Sequence, residues 1–265
     1  MKLYKLLPVI SLCLILSSCR NKDVGLSEST SIRSKLIINL VEQLENGTRK
    51  LYLSANTTTI YPCGNYGIET HFALAENGFK ISYKNIIAPT ICLTSLGAAF
   101  SWIELGTLSD GNYDLQLNGP NWTNRGILKV TSNEFELIFK NLKGIEIPRS
   151  VLKRVPENTY WGTIGYHQAS TLPKVDSLIA KMAQNGAIFQ TQVPGDYRYY
   201  EIDTKGNIMD PELSGYYFVK SLIFQLKGND AGIRNLIRTD GIMQKENMSI
   251  NIYNDKGERI DNWSE

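Results

Sequence analysis

From Lys35 onward the chain breaks into short apolar or alternating segments, each closed by Gly, Asn, Asp or Pro, and that punctuation limits its fold more than any other feature. Alternation of period two places side chains on opposite faces of a strand, and frequent turn residues leave little room for long helices. Strands are expected near residues 36 to 42, 49 to 55, 67 to 74, 78 to 83, 99 to 105, 112 to 117, 125 to 131 and 134 to 139. The first of these, Leu36 to Val41, fits a helix equally well, because a short apolar run does not fix a period. Glu45-Asn46-Gly47, Glu76-Asn77-Gly78 and Ser109-Asp110-Gly111-Asn112 supply the positive φ angles of tight hairpins.

The segment Leu108-Ser109-Asp110-Gly111-Asn112-Tyr113-Asp114-Leu115 resembles a late strand of immunoglobulin-like sandwiches, where a Gly-containing turn leads into Tyr and alternating apolar residues. With eight strands over about a hundred residues, the resemblance implies an all-β immunoglobulin-like sandwich over residues 34–148. Residues 149–158, bounded by Pro148 and Pro156, read as a linker or one short helix.

Beyond the linker the period changes. Tyr160 to Tyr166 reads as a strand, and Leu172, Val175, Leu178, Ile179 and Met182 share one helical face that stops at Gly186. Ile188 to Val193 and Tyr197 to Asp203 read as strands. Tyr216, Val219, Leu222, Ile223 and Leu226 recur at helical spacing, a short third helix follows at Ile233 to Ile237, and Ser249 to Tyr253 closes as a strand. That order, βαββαβ with one extra helix, predicts a ferredoxin-like α+β domain over residues 159–265. Alternation sends Ile164, Tyr200, Ile202, Ile250 and Ile252 toward the helices. The opposite face receives Trp161, His167, Tyr197, Tyr199, Glu201 and Tyr253, a set with the composition of a binding surface for a protein or glycan partner. The competing reading is that this face packs against the sandwich.

At the start of the chain, Lys2 and Lys5 precede an apolar run from Leu6 to Leu16, too short to span a bilayer. Cys19, directly after Leu16-Ser17-Ser18, resembles the acylation motif of bacterial lipoproteins. The resemblance implies a signal peptide over residues 1–18, cleavage before Cys19, acyl chains on its thiol and new amino group, and a lipidated tether over residues 19–33. An ordinary secretory signal with a chance cysteine is the other reading. Arg20 rather than Asp after the cysteine, by analogy with enterobacterial lipoproteins, implies membrane attachment at the outer membrane.

Charge and cysteine count follow from that leader. The 28 Lys and Arg lose Lys2 and Lys5 while the 26 Asp and Glu lose none, so the mature chain balances at 26 of each. Without a basic cluster there is no footprint for nucleic acid, and the Arg/Lys-Gly-Phe-Gly pattern of RNA-binding domains is absent. Once Cys13 is removed and Cys19 acylated, Cys63 and Cys92 remain, and an oxidising compartment favours a disulfide over two buried thiols. Zinc wants four N or S ligands, and only His71 and His167 join those cysteines, so neither metal nor cofactor is expected.

His167 and Glu201 are the one acid–base pair the face offers, without a third group to orient them. Nucleophile-elbow, metalloprotease, P-loop and dinucleotide motifs are all missing. The expectation is therefore a lipid-anchored envelope protein that binds without catalysis; a structural subunit of an envelope assembly is the alternative, and a hydrolase comes third.

Overall fold

The computed structural model describes residues 29–209, 216–241 and 248–263. The expected signal peptide, residues 1–18, and Cys19 lie outside them. The first unit is built from β1 (Ser29–Ser31), β2 (Leu36–Glu45), β3 (Thr48–Tyr61), β4 (Gly67–Ala75), β5 (Gly78–Ile87) and β6 (Gly97–Gly106). It continues with β7 (Gly111–Gly119), β8 (Trp122–Val130), β9 (Glu134–Phe139), β10 (Ile145–Glu146) and β11 (Val151–Lys153). These form one mixed sheet in the order β10-β2-β3-β6-β4-β5-β7-β8-β9-β11, with β1 added against β5.

The sheet curls into a half-barrel around a single core that runs from Leu36, Ile38 and Leu53 to Ile81, Leu117 and Leu128. This overturns the two-sheet immunoglobulin-like sandwich. The eight expected strands form, but their pairing differs: β4 joins β6 and β5 joins β7 in parallel, which threads all of them into one surface. Alternation reports that a strand exists and which face is buried; it carries no information on neighbours. The tyrosine that carried the resemblance does make its local contact, its Oη donating to the Ser109 carbonyl at 2.9 Å.

Two boundaries also move. Residues 29 to 33, expected in the tether, begin as β1, which pairs Ser29 with Ile87 and Ser31 with Asn85, and Ile32 is buried in the barrel core. The stretch 149–158, expected as linker, contributes β11 to the edge of the large sheet through pairing with β9.

The second unit holds β12 (Thr159–Tyr166), α1 (Leu172–Gln184), β13 (Ala187–Ile188), β14 (Gly195–Asp196), β15 (Glu201–Ile202), β16 (Phe218–Leu226), α2 (Ala231–Leu236), β17 (Met248–Asn254) and β18 (Arg259–Asp261). Its main sheet, ordered β13-β16-β12-β17-β18, takes a strand from residues 218–226 where a helix was expected, leaves the expected strand at 197–203 outside and adds β18, so the ferredoxin-like prediction is also overturned. The decisive element is β16, expected as a helix. Leu222 and Phe224 face the helices while Ile223 faces the other side, and all three are buried. A strand covered on both faces reads as a continuous apolar run, which mimics helical spacing. Helix α1 forms where its apolar stripe predicts, burying Val175, Leu178 and Met182.

The units meet at a seam. Leu44, Val155, Trp161, Tyr197, Tyr200, Ile202 and Ile223 form a third buried cluster there. Around it the Gly47 N–H donates to the Lys256 carbonyl at 2.9 Å, and a Cβ on Gly257, whose φ is +79°, would meet the Leu44 carbonyl oxygen at 2.2 Å. That approach requires glycine twice over. Glu42, 2% exposed, sits under Arg154 Nε at 3.5 Å and Arg49 Nη1 at 3.8 Å; Arg49 also reaches the Val155 carbonyl at 2.6 Å and Asp255 at 3.6 Å.

Candidate functional site

Strand β12 divides its side chains as alternation demands. Tyr160, Ile164 and Tyr166 join the helix-side core with Ile250 and Ile252, whereas Trp161 and Thr163 stand on the opposite face. Register places Trp161 between Ile223 and Tyr253, and Thr163 beside Ser221.

The segment after Pro194 does not join this sheet. It folds back as the separate β14–β15 ribbon across the Trp161 face. Within its turn the Tyr199 N–H donates to the Tyr197 carbonyl at 2.8 Å, and Arg198 has a φ of 69°, a left-handed conformation uncommon outside glycine. The Asp196 carboxylate accepts the Arg198 N–H at 2.8 Å and steadies the turn. Because this kink breaks alternation, the consecutive residues Tyr199 and Tyr200 both approach the indole, with ring centroids 5.3 and 5.4 Å from Trp161. Tyr200 and Ile202, expected on the helix side, therefore belong to the seam.

Trp161, Thr163, Tyr199, Tyr200, Glu201 and Ser221 line a cleft of about 230 Å³, walled at one end by Ile208 and Met209. The Tyr199 hydroxyl is fixed by accepting the Leu44 N–H at 2.8 Å. The Tyr200 hydroxyl and Ser221 Oγ are buried without a hydrogen-bond partner among the described residues. Burial pushes the Tyr200 phenol far above its ordinary pKa, so it stays protonated as a donor. Glu201 at the rim is held by Arg149 Nη2 at 3.3 Å, while the same guanidinium reaches Asp196 at 2.5 Å.

No protein-family model, curated protein or solved structure matches this chain. The cleft must be read from its own chemistry.

Three of the six expected face residues, Trp161, Tyr199 and Glu201, line the cleft. Tyr253 stacks beside Trp161 at 6.4 Å, and Tyr197 backs Tyr200 at 4.8 Å with its own hydroxyl donated to the Val193 carbonyl. His167 stands apart, exposed and stacked on Tyr216 at 5.0 Å, so it and Glu201 engage different partners. Sequence reasoning missed Tyr200 and Ser221. The signals were present: the Tyr197-Arg198-Tyr199-Tyr200 run behind Gly195-Asp196 marks a turn, and the aromatic and β-branched content of residues 216 to 224 favours a strand. Cys63 and Cys92 are joined in a disulfide, far from the seam along β3. Among the described residues, no group of three or more His, Cys, Asp or Glu is arranged to hold a metal ion.

Proposed function

We propose that the protein is a lipid-anchored envelope protein, attached to the outer membrane through Cys19, that binds a glycan in the Trp161 cleft without transforming it. The observation that carries this reading is a cleft of about 230 Å³ lined by aromatic rings, with two unpartnered buried hydroxyls, Tyr200 Oη and Ser221 Oγ, on the residues of its wall. A buried hydroxyl without a partner costs roughly 1 to 3 kcal/mol, which a ligand recovers when the Tyr200 or Ser221 side chain turns to meet the ligand's own hydroxyls. A sugar ring has an apolar face to lay on an aromatic side chain and a polar edge to meet the hydroxyls and Glu201. A volume of this order suits one ring of a longer chain rather than a whole oligosaccharide.

The test uses the full-length protein on a glycan array followed by titration calorimetry of any hit. Tyr200→Phe keeps the ring and removes only an unsatisfied hydroxyl, so thermal stability should hold or rise while affinity drops by about tenfold. Ser221→Ala should act in the same direction. Unchanged affinity in both variants, or capture of peptides with no glycan bound, would sink the glycan reading.

A further inference from the structure

The end of the half-barrel opposite the seam carries a cluster of exposed aliphatic side chains. Strand β3 ends at Tyr61, and the following turn is tied to the loop between β5 and β6 by the Cys63–Cys92 disulfide. Asn65 clamps the same loop twice, its Nδ2 donating to the Ile91 carbonyl at 2.7 Å and its Oδ1 accepting the Leu93 N–H at 3.1 Å. On this braced tip Ile91 and Leu96 are 78% and 77% exposed, with Ile60 at 59% and Leu93 at 56%. Tyr61 and Tyr66 stack at 4.8 Å behind them. Residues 51 to 68 and 85 to 103, the two segments that make the tip, contain no Asp, Glu, Lys or Arg, in a chain where 20% of residues are charged. Four exposed aliphatic side chains held on an uncharged protrusion leave apolar surface in water at a cost no contact among the described residues offsets.

The position of Ser29, the first described residue, bears on what covers the tip. Ser29 pairs with Ile87, immediately before the loop that carries Ile91, Leu93 and Leu96. Cys19 lies ten residues upstream of Ser29, a stretch that reaches at most roughly 35 Å when fully extended. The second unit is attached at the other end of β2 and β3, where Gly47 meets Lys256.

We infer that the disulfide-braced tip formed by Ile60, Ile91, Leu93 and Leu96 inserts into the lipid leaflet that holds the acylated Cys19, as a second and shallow membrane contact. The inference rests on the reading of Cys19 as the lipid anchor for its choice of lipid over protein. Aliphatic residues at the apex with tyrosines behind them match the order of a bilayer entered from water, hydrocarbon first and the amphipathic rings at headgroup level. The lack of charge makes the contact indifferent to anionic lipid, since polybasic attraction has no residues to act through.

The experiment is depth measurement by bromolipid quenching with the full-length protein, taken from membranes in detergent and reconstituted into phosphatidylcholine vesicles. Ile91→Trp adds an emitter at the tip by an apolar-for-apolar change; Leu74→Trp adds one at an equally exposed apolar site, 76% accessible, near the far end of β4. The emission gained by Ile91→Trp over wild type should be blue-shifted and lose most of its intensity when the acyl chains carry bromine, while that gained by Leu74→Trp should not. Unquenched Ile91→Trp emission, or equal quenching at both sites, overturns the inference. So does a self-associated species in sedimentation that Ile91→Asp dissolves, because the tip would then belong to a second copy. Mass spectrometry of Cys19 in the same preparation separates the two readings: an unmodified Cys19 with quenching retained removes the anchor and leaves the tip, and an acylated Cys19 without quenching does the reverse.

Discussion

The two ends of β3 show opposite solutions to the same problem. At its start, beside the second unit, charged groups are buried: Glu42 is covered by Arg49 and Arg154, and Trp161 is enclosed by Tyr199 and Tyr200. At its finish, Ile60 and the loop it meets leave aliphatic side chains outside. Fourteen residues separate them, about 45 Å of extended chain at a strand's rise. Burial in this molecule follows what stands opposite a residue rather than the residue's class. The seam has a protein partner and can afford ions, while the tip has none among the described residues.

The contrast is broken most directly at Trp161. If the seam is a folding core, Trp161→Ala should lower unfolding free energy in urea by roughly 3 to 5 kcal/mol, as removal of a large buried aromatic does. A loss below about 1 kcal/mol would make the indole a ligand platform with little structural weight. At the other end, replacing Cys63 and Cys92 together by Ser should cost about 3 to 4 kcal/mol on the loop-entropy model, for a closure of 29 residues. The same change should loosen the tip in hydrogen exchange and leave amides around Leu44 as protected as before. Loss of protection at both ends would show one cooperative unit and weaken the comparison.

A smaller effect is expected at Tyr199. Tyr199→Phe strips the Leu44 N–H of its acceptor and should cost about 1 to 2 kcal/mol in the same urea titration. The finest probe is pH. Burial pushes the Glu42 carboxyl above the ordinary 4.5, against the opposing pull of Arg49 and Arg154. A native pKa above the unfolded one means that the folded state holds the proton more tightly. Its stabilising contribution is therefore full below pH 4.5 and is lost as pH rises through the raised value. Wild type should thus lose ground to Glu42→Gln as pH climbs through that window. A difference that stays flat would show the two arginines cancelling burial, and a wild type that gains ground would show them outweighing it.

What the sequence made legible divides by range. Local features came through: the hairpin at Asn46-Gly47, where both residues adopt positive φ, the apolar stripe of α1, and the face of β12 that carries Trp161. Pairing between distant strands did not, because the single junction between β4 and β6, Gly67 against Phe100, leaves no pattern in either segment. The cleft was half visible for the same reason. Trp161 and Tyr199 stand out by composition, but Tyr200 is turned inward by the φ of Arg198, and Ser221 lies in a strand whose two buried faces disguise its period. Ion pairs such as that of Glu42 with Arg154 join residues more than a hundred positions apart, beyond any local signal.

The strand β11 has a mechanical consequence. Since Val151–Lys153 is woven into the large sheet and β12 starts at Thr159, the chain is free of both sheets for only five residues, and Arg154 and Val155 among them are pinned in the seam. The two units thus have no hinge between them. On the proposed reading, tension applied to a ligand held in the Trp161 cleft would pass along β2 and β3 as along a strut toward the tip. If the proposed binding and tip insertion both hold, the cleft stays at a fixed height above the bilayer.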